Sequence, residues 1–285
     1  VESAVEPDRA RLRNAIEAAF ALHTDPLLGS LTRYARAHDE APLIWRFGFI
    51  HRVELRSVPM SAQILREVFA HASGQFVAEL FLAGSDPRDL LGAIVVVVTA
   101  APKTLRSLAI ESSLDLGTLE RLFTAVPNLR FLAIDAHDFE ARNIELPVLE
   151  SAAFDGRLSA LCLRALAEAR WPRLKHLGLT YTGGSATAAD LAPLFDRTDL
   201  THLKYLGLRG FPFGAAICRR LPHARFTHQL LHIDLLGCEL DDADAAALAA
   251  HPARFHPNLT LTVPTGELSS TGLAALRVLD PKLRR

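Results

Sequence analysis

Lysine, cysteine and long apolar runs are all scarce in this 285-residue sequence. Only 4 of the 31 basic residues are lysine (Lys103, Lys175, Lys204 and Lys282). The arginine bias reads as genomic composition rather than chemistry. The cysteines Cys162, Cys218 and Cys238 are too few and too scattered for a disulfide framework, and their odd number fits a reducing, cytoplasmic compartment. Neither charge is in excess: 31 Lys+Arg stand against 32 Asp+Glu, a formal net charge of −1. That balance argues against a nucleic-acid partner, which calls for a basic excess, and against attraction to an anionic membrane. The most apolar run, residues 90–101 around Ile94, falls well short of the roughly 20 residues that span a bilayer. Residues 1–8 are acidic and lack the pattern of a signal peptide. An opening on Val rather than Met fits a trimmed chain or a piece of a longer protein. What remains is ordinary for a globular protein: 49% hydrophobic and 22% charged residues, enough to bury a core.

Internal repetition is the strongest positive signal. Leu230, Ile233, Leu235, Cys238 and Leu240 fill every fixed position of the template L-x-x-L-x-L-x-x-N/C-x-L. The L-x-x-L-x-L core recurs at Leu105/Leu108/Ile110, Leu129/Leu132/Ile134, Leu174/Leu177/Leu179 and Leu203/Leu206/Leu208. Softer copies stand at Ile50/Val53/Leu55, Val77/Leu80/Leu82 and Leu149/Ala152/Phe154, with a last one around Leu261 and Val263. The central anchors at 53, 80, 108, 132, 152, 177, 206, 233 and 261 are spaced by 27, 28, 24, 20, 25, 29, 27 and 28 residues.

Each L-x-L puts two apolar side chains on one face of a short strand. One repeat cannot bury them, so neighbouring repeats must stack. Between strands the apolar period changes to a helical one, as in Leu116, Leu119, Leu122, Phe123 and Val126, or Ala243, Ala246, Ala247 and Leu248. Pro127, Pro172 and Pro252 follow as stops, and Asp241-Asp242 sits where a helix cap belongs. On these motifs the chain resembles the leucine-rich repeat proteins, in the ribonuclease-inhibitor-like type common among bacterial proteins, over about residues 48–280. The usual Asn of the ninth position is missing: Cys238 and Gly266 stand there in two copies, and His137, Thr182 and Phe211 in others. The resemblance implies an α/β fold, a right-handed leucine-rich repeat solenoid (a horseshoe) with one parallel sheet and outer helices.

Residues 1–47 do not repeat. Two amphipathic stretches, 9–22 and 27–37, predict an N-terminal helical cap packed through Leu12, Ile16 and Leu31, with Trp45 and Phe47 plugging the first coil. The solenoid of about nine repeats then occupies 48–285. Leu273–Leu276 predicts a last helix, and 280–285 a frayed tail.

Strand alternation assigns the concave face. The residues before the central anchors include Phe131, His176, Tyr205 and His232, a partly aromatic wall. Those directly after the central anchors, Ala109, Ala133, Ala153, Gly178, Gly207 and then Asp234, form a floor of small side chains as far as Gly207. The row beyond holds Glu111, Asp135 and Asp155 on three successive strands, then Thr180 and Arg209. These positions predict a partner-binding surface made of Glu111, Asp135, Asp155, Phe131, His176, Tyr205, Arg209, His232 and Asp234.

Catalytic signatures are missing. There is no G-x-S-x-G, Walker A or G-x-G-x-x-G pattern. Cys218, His223, His228, His232 and Cys238 lack zinc-site spacing, and Cys238 points into the core while His232 points out. Thr182-Gly183-Gly184-Ser185 reads as a simple turn, lacking the Lys of a phosphate loop. The expectation is a non-enzymatic recognition module without cofactor or metal. It would bind a protein or peptide with a basic segment and serve as the sensing or targeting part of a larger protein. Two alternatives are a metal-assisted enzyme using Glu111, Asp135 and Asp155, and a purely structural scaffold.

Overall fold

The computed structural model describes residues 11, 14, 15, 18, 28–35, 42–46, 48–264 and 266–283. The protein forms two compact units, residues 1–108 and 109–285.

In the first unit, a 3-10 turn (Gly29–Leu31) leads into a single helical turn, α1 (Thr32–Ala35). Leu28 and Leu31 are fully buried. Arg33 grips both carboxylate oxygens of Glu67 at 2.6 Å, tying this segment to helix α2 (Ser61–Ala70). The expected cap contacts of Leu12 and Ile16, and the plug residue Phe47, lie outside the described residues. Residues just before the repeats form a strand, β1 (Leu43–Arg46), which pairs antiparallel with β2 (Phe49–Arg56). The sheet expected to be wholly parallel therefore begins with a hairpin, and half-buried Trp45 sits opposite Ile50 within it. Strand β3 (Glu79–Ala83) adds in parallel, with Val53 beside Leu80 as the repeat alignment requires. The apolar run becomes helix α3 (Pro87–Ala100), whose N-cap Asp86 accepts from Arg88 N and Asp89 N and whose first residue is proline. Proline fits there because that N–H has no helical partner to lose. Among the described residues no helix is long and apolar enough to cross a membrane.

In the second unit, β4 (Ser107–Thr118) starts at the boundary, followed by α4 (Glu120–Ala125), β5 (Phe131–Glu140), β6 (Ser151–Arg157) and α5 (Ala160–Glu168). Then come β7 (His176–Gly183), α6 (Ala188–Phe195), β8 (Tyr205–Arg209), α7 (Gly214–Arg220), β9 (His232–Asp234), α8 (Asp242–Ala249), β10 (Thr260–Thr262) and α9 (Ser270–Leu276). Strands β5 to β10 are parallel neighbours in sequence order. Leu132, Ala152, Leu177, Leu206, Ile233 and Leu261 pair in one continuous register, so the aligned anchors share one buried row. The strong anchors Leu132, Leu177, Leu206 and Ile233 are 0% exposed, as is Leu108 at the boundary. This strand–helix repetition is a leucine-rich-repeat-like α/β fold.

The structure departs from the expected helices where the repeats are short. Helix α4 starts only at Glu120, because Gly117 has a left-handed φ of +61° and Leu119 N donates to Glu140 O. Leu116 belongs to β4 instead. Across the 20-residue repeat, β5 runs to Glu140 and no helix precedes β6. The ninth-position residues hold neighbouring repeats by other means. The Cys238 thiol donates to Leu208 O at 3.0 Å, and buried Phe211 stacks on Tyr181 with ring centroids 5.4 Å apart.

The C-terminal segment is not frayed as far as it is described. Asp280 is 4% exposed and accepts Leu261 N at 2.9 Å and Lys282 N at 2.9 Å. Its carboxylate takes the place of a further strand at the edge of β10, and Leu283 N donates to Asp280 O at 3.0 Å.

Candidate functional site

The strand register of the second unit sets three rows of side chains on the face opposite the anchors. Phe131, Ser151, His176, Tyr205, His232 and Thr260 are partners across β5 to β10. Ala133, Ala153, Gly178, Gly207, Asp234 and Thr262 form the second row, and Asp135, Asp155, Thr180 and Arg209 the third. Each row matches the alternation read from the sequence, since one buried anchor row dictates every other position.

The first row is a ring wall. Tyr205 stands between His176 and His232, with centroids at 6.3 and 5.0 Å, and Phe131 is 39% exposed at the β5 end. Beyond Tyr205, the ring of His232 meets Thr262 Oγ1 at 3.2 Å.

The floor is open over β5 to β7 and closed at β8. A Cβ added at Gly178 would meet only the Ala153 methyl, at 3.9 Å. At Gly207 it would stand 2.9 Å from the Tyr205 hydroxyl and 3.1 Å from ring carbon Cε1. The Tyr205 ring therefore lies across Gly207 and buries it.

The third row carries uneven charge. Asp135 and Asp155 are direct partners on neighbouring strands, about 4.8 Å apart at the backbone. Burial first, and the Asp135 charge second, push the Asp155 carboxyl above its usual range; a hydrogen bond with Thr180 and the charge of Arg209 act the other way. Arg209 is committed to Asp234, giving Nε at 2.7 Å and a short bond from Nη2 to the same oxygen. This pair holds the Arg209 guanidinium above its usual value. The Tyr205 hydroxyl approaches the same carboxylate at 3.4 Å, and Tyr205 is raised mainly by burial and then by the Asp234 charge. Leu236 N donates to Asp234 Oδ1 at 3.0 Å.

Of the sequence-predicted site residues, Glu111, Asp135, Phe131, His176 and Arg209 are exposed, and Asp155, Tyr205 and His232 are half-buried. Asp234 lies on the expected face but is only 3% exposed, because Arg209 and Tyr205 cover it. Sequence alternation reports which face a residue takes, not whether a longer neighbour folds over it. Thr180, which holds Asp155, was not singled out as a site residue, and Gly207, expected as open floor, instead accommodates the Tyr205 ring. The Y-x-G spacing on β8 was the available signal.

The cysteines and the glycine turn have structural surroundings. Cys162, Cys218 and Cys238 are free and buried. Burial pushes the first two thiols up to about 12 and Cys238 to about 11. Among the described residues no three His, Cys, Asp or Glu side chains are grouped to hold a metal ion. In the glycine turn, Gly184 has φ +123° and any added Cβ would lie 2.3 Å from Leu158 O, while Tyr181 donates to Gly184 O at 2.7 Å. That turn is a close approach between neighbouring repeats.

No family model matches this chain, and no curated protein matches it. Among solved structures, it is similar to a protein from Bacteroides fragilis with a TM-score of 0.56 and 16% identity, over 75% of this chain and 70% of that one. An internalin from Listeria monocytogenes aligns with a TM-score of 0.41 and 14% identity, over 80% of this chain and 65% of that one. A leucine-rich repeat-containing protein from Legionella pneumophila aligns with a TM-score of 0.33 and 14% identity, over 82% of this chain and 99% of that one. The likeness is one of fold.

Proposed function

We propose that this protein is a non-enzymatic recognition module that binds a protein or peptide segment on the open sheet face of its second unit. The observation that carries this reading is the side-chain-poor floor of Ala133, Ala153 and Gly178, flanked by a ring wall on one side and by acids on the other. Broad sheet faces of repeat folds are binding surfaces, an argument from architecture rather than from a reacting group. The acids select the partner's chemistry. Arg209, the cation of their row, is already balanced by Asp234, so Asp135 and Asp155 keep unmatched negative charge for a basic segment. Exposed Phe131 and the Tyr205 ring supply apolar contact. Balanced overall charge supports a partner that is neither nucleic acid nor membrane, and free cysteines support a cytoplasmic setting.

The test is a displayed library of random peptides panned against the parent, Ala153→Arg and Asp135→Lys. The parent should enrich basic peptides. Ala153→Arg, which fills the floor from a solvent-facing position, should abolish their binding without lowering the melting temperature. Asp135→Lys should slow association, with the difference fading as salt rises. Equal binding by all three proteins would place recognition elsewhere.

A further inference from the structure

The open floor has an end, and the end has its own chemistry. It runs over three strands and stops where the Tyr205 ring crosses Gly207. An extended peptide lying across β5, β6 and β7 would meet that ring at β8. Arg209 places a donor at the stop. Arg209 gives Nε and Nη2 to Asp234 and Tyr205, while its Nη1 takes no part in those bonds. The Arg209 side chain is 47% exposed. His176 stands exposed on the neighbouring strand, beside Tyr205. Asp135 stands at the opposite end, on β5, and Asp155 beside it on the middle strand, β6.

We infer that the segment bound on this face is the carboxy-terminal end of a polypeptide: a basic side chain lies over Asp135 and Asp155, and the terminal carboxylate stops against Tyr205 and takes a hydrogen bond from Arg209 Nη1. This rests on the peptide-binding reading above. The polarity follows from hydrogen bonding at the stop, because the reverse orientation sets the N–H donors of a terminal ammonium against Arg209 Nη1, itself a donor, whereas a carboxylate accepts from it. The spacing follows from the sheet. Asp155 and Arg209 share a row two strands apart, about 10 Å, or about three residues of extended peptide. The cation therefore belongs about three residues before the terminus. Tyr205 acts here as a specificity residue: it sets where the bound peptide must end.

The experiment uses the whole 285-residue chain and arrays of octapeptides in which one Lys or Arg is walked along an otherwise randomised sequence. Each peptide is made with a free terminal carboxylate, as the amide, and extended by a further short segment. The parent should prefer free-acid peptides with the cation near the third position from the end. Amidation should weaken binding about tenfold, the loss of one charge-assisted hydrogen bond, and extension should weaken it at least as much. In Tyr205→Ala the floor continues over Gly207, so the penalty on extension should vanish while the preference for a cation stays. An unchanged melting temperature shows that this variant is folded, and Tyr205→Phe, which keeps the ring, should still reject extended peptides. If basic peptides bind but amides and extended forms bind equally well, the inference of a bound carboxy-terminal end is overturned and the peptide reading stands. If no basic peptide binds in any form, both are overturned.

Discussion

The ring of Tyr205 lies over the backbone of Gly207, two residues further along the same strand and on the same face. The arrangement is cooperative. A glycine leaves room for the ring, the ring helps cover the Asp234 carboxylate, and Asp234 in turn holds Arg209. One end of the sheet face is thereby ordered by its own side chains, while the floor over β5 to β7 is left open.

Two glycine substitutions separate open floor from packed turn. Gly178→Ala should be neutral or stabilise the protein by about 0.4–1 kcal/mol, since the added methyl meets ordinary contact and the unfolded state loses freedom. Gly210→Ala should cost about 1–3 kcal/mol or more, because Gly210 has φ +72° and its added Cβ would lie 2.5 Å from Tyr181 O. Urea unfolding midpoints measure both. A large loss for Gly178→Ala would mean that the floor is not open.

Leu206→Ala should destabilise by about 2–5 kcal/mol, as for other fully buried leucines. Chemical denaturation reads the loss directly. A change under about 0.5 kcal/mol, typical of surface sites, would contradict the shared anchor row.

Asp155→Asn should stabilise the protein at neutral pH by roughly 0.2–1 kcal/mol, the usual size of a like-charge penalty between strand partners. Because the Asp155 carboxyl is raised on folding, the folded state holds its proton more tightly than the unfolded state. Its contribution is therefore most favourable below the ordinary carboxylate range and is lost as pH rises through the raised folded value. Thermal melts of parent and variant should converge on the acid side of that window and diverge above it.

Asp280→Ala should free the Leu261 amide. Leu261 is 3% exposed and its N–H has Asp280 as acceptor, so the loss should cost about 1–3 kcal/mol. Hydrogen exchange at Leu261 is the direct measure, and it should accelerate well beyond that of Leu206. Unchanged protection would show that β10 is closed by something other than this carboxylate.

The thiols give a cheaper check of burial. With pKa values of about 12, 12 and 11, Cys162, Cys218 and Cys238 should ignore a thiol reagent at mildly alkaline pH. All should react at once in denaturant. Rapid labelling of the native protein would mean that the core around these repeats opens readily.

Periodicity alone determined the backbone plan. Every copy repeats the same demand, two apolar side chains on one face of a strand, so the anchors at 132, 152, 177, 206, 233 and 261 define the register that the sheet adopts. The alternation of a strand then places Phe131, Asp135, Asp155 and Tyr205 on the other face without further information. The spacing did not by itself remove the helix between β5 and β6, which the structure replaces with a longer β5. Tertiary structure decided what local periodicity does not encode. The antiparallel β1, the Asp280 cap on Leu261, the burial of Asp234 beneath Arg209 and the crossing of Gly207 by Tyr205 all depend on how far a side chain or segment reaches across to a neighbour. Period and alternation state the direction of each side chain; its length, its partners and the charge it finally presents are settled only when the strands lie about 4.8 Å apart.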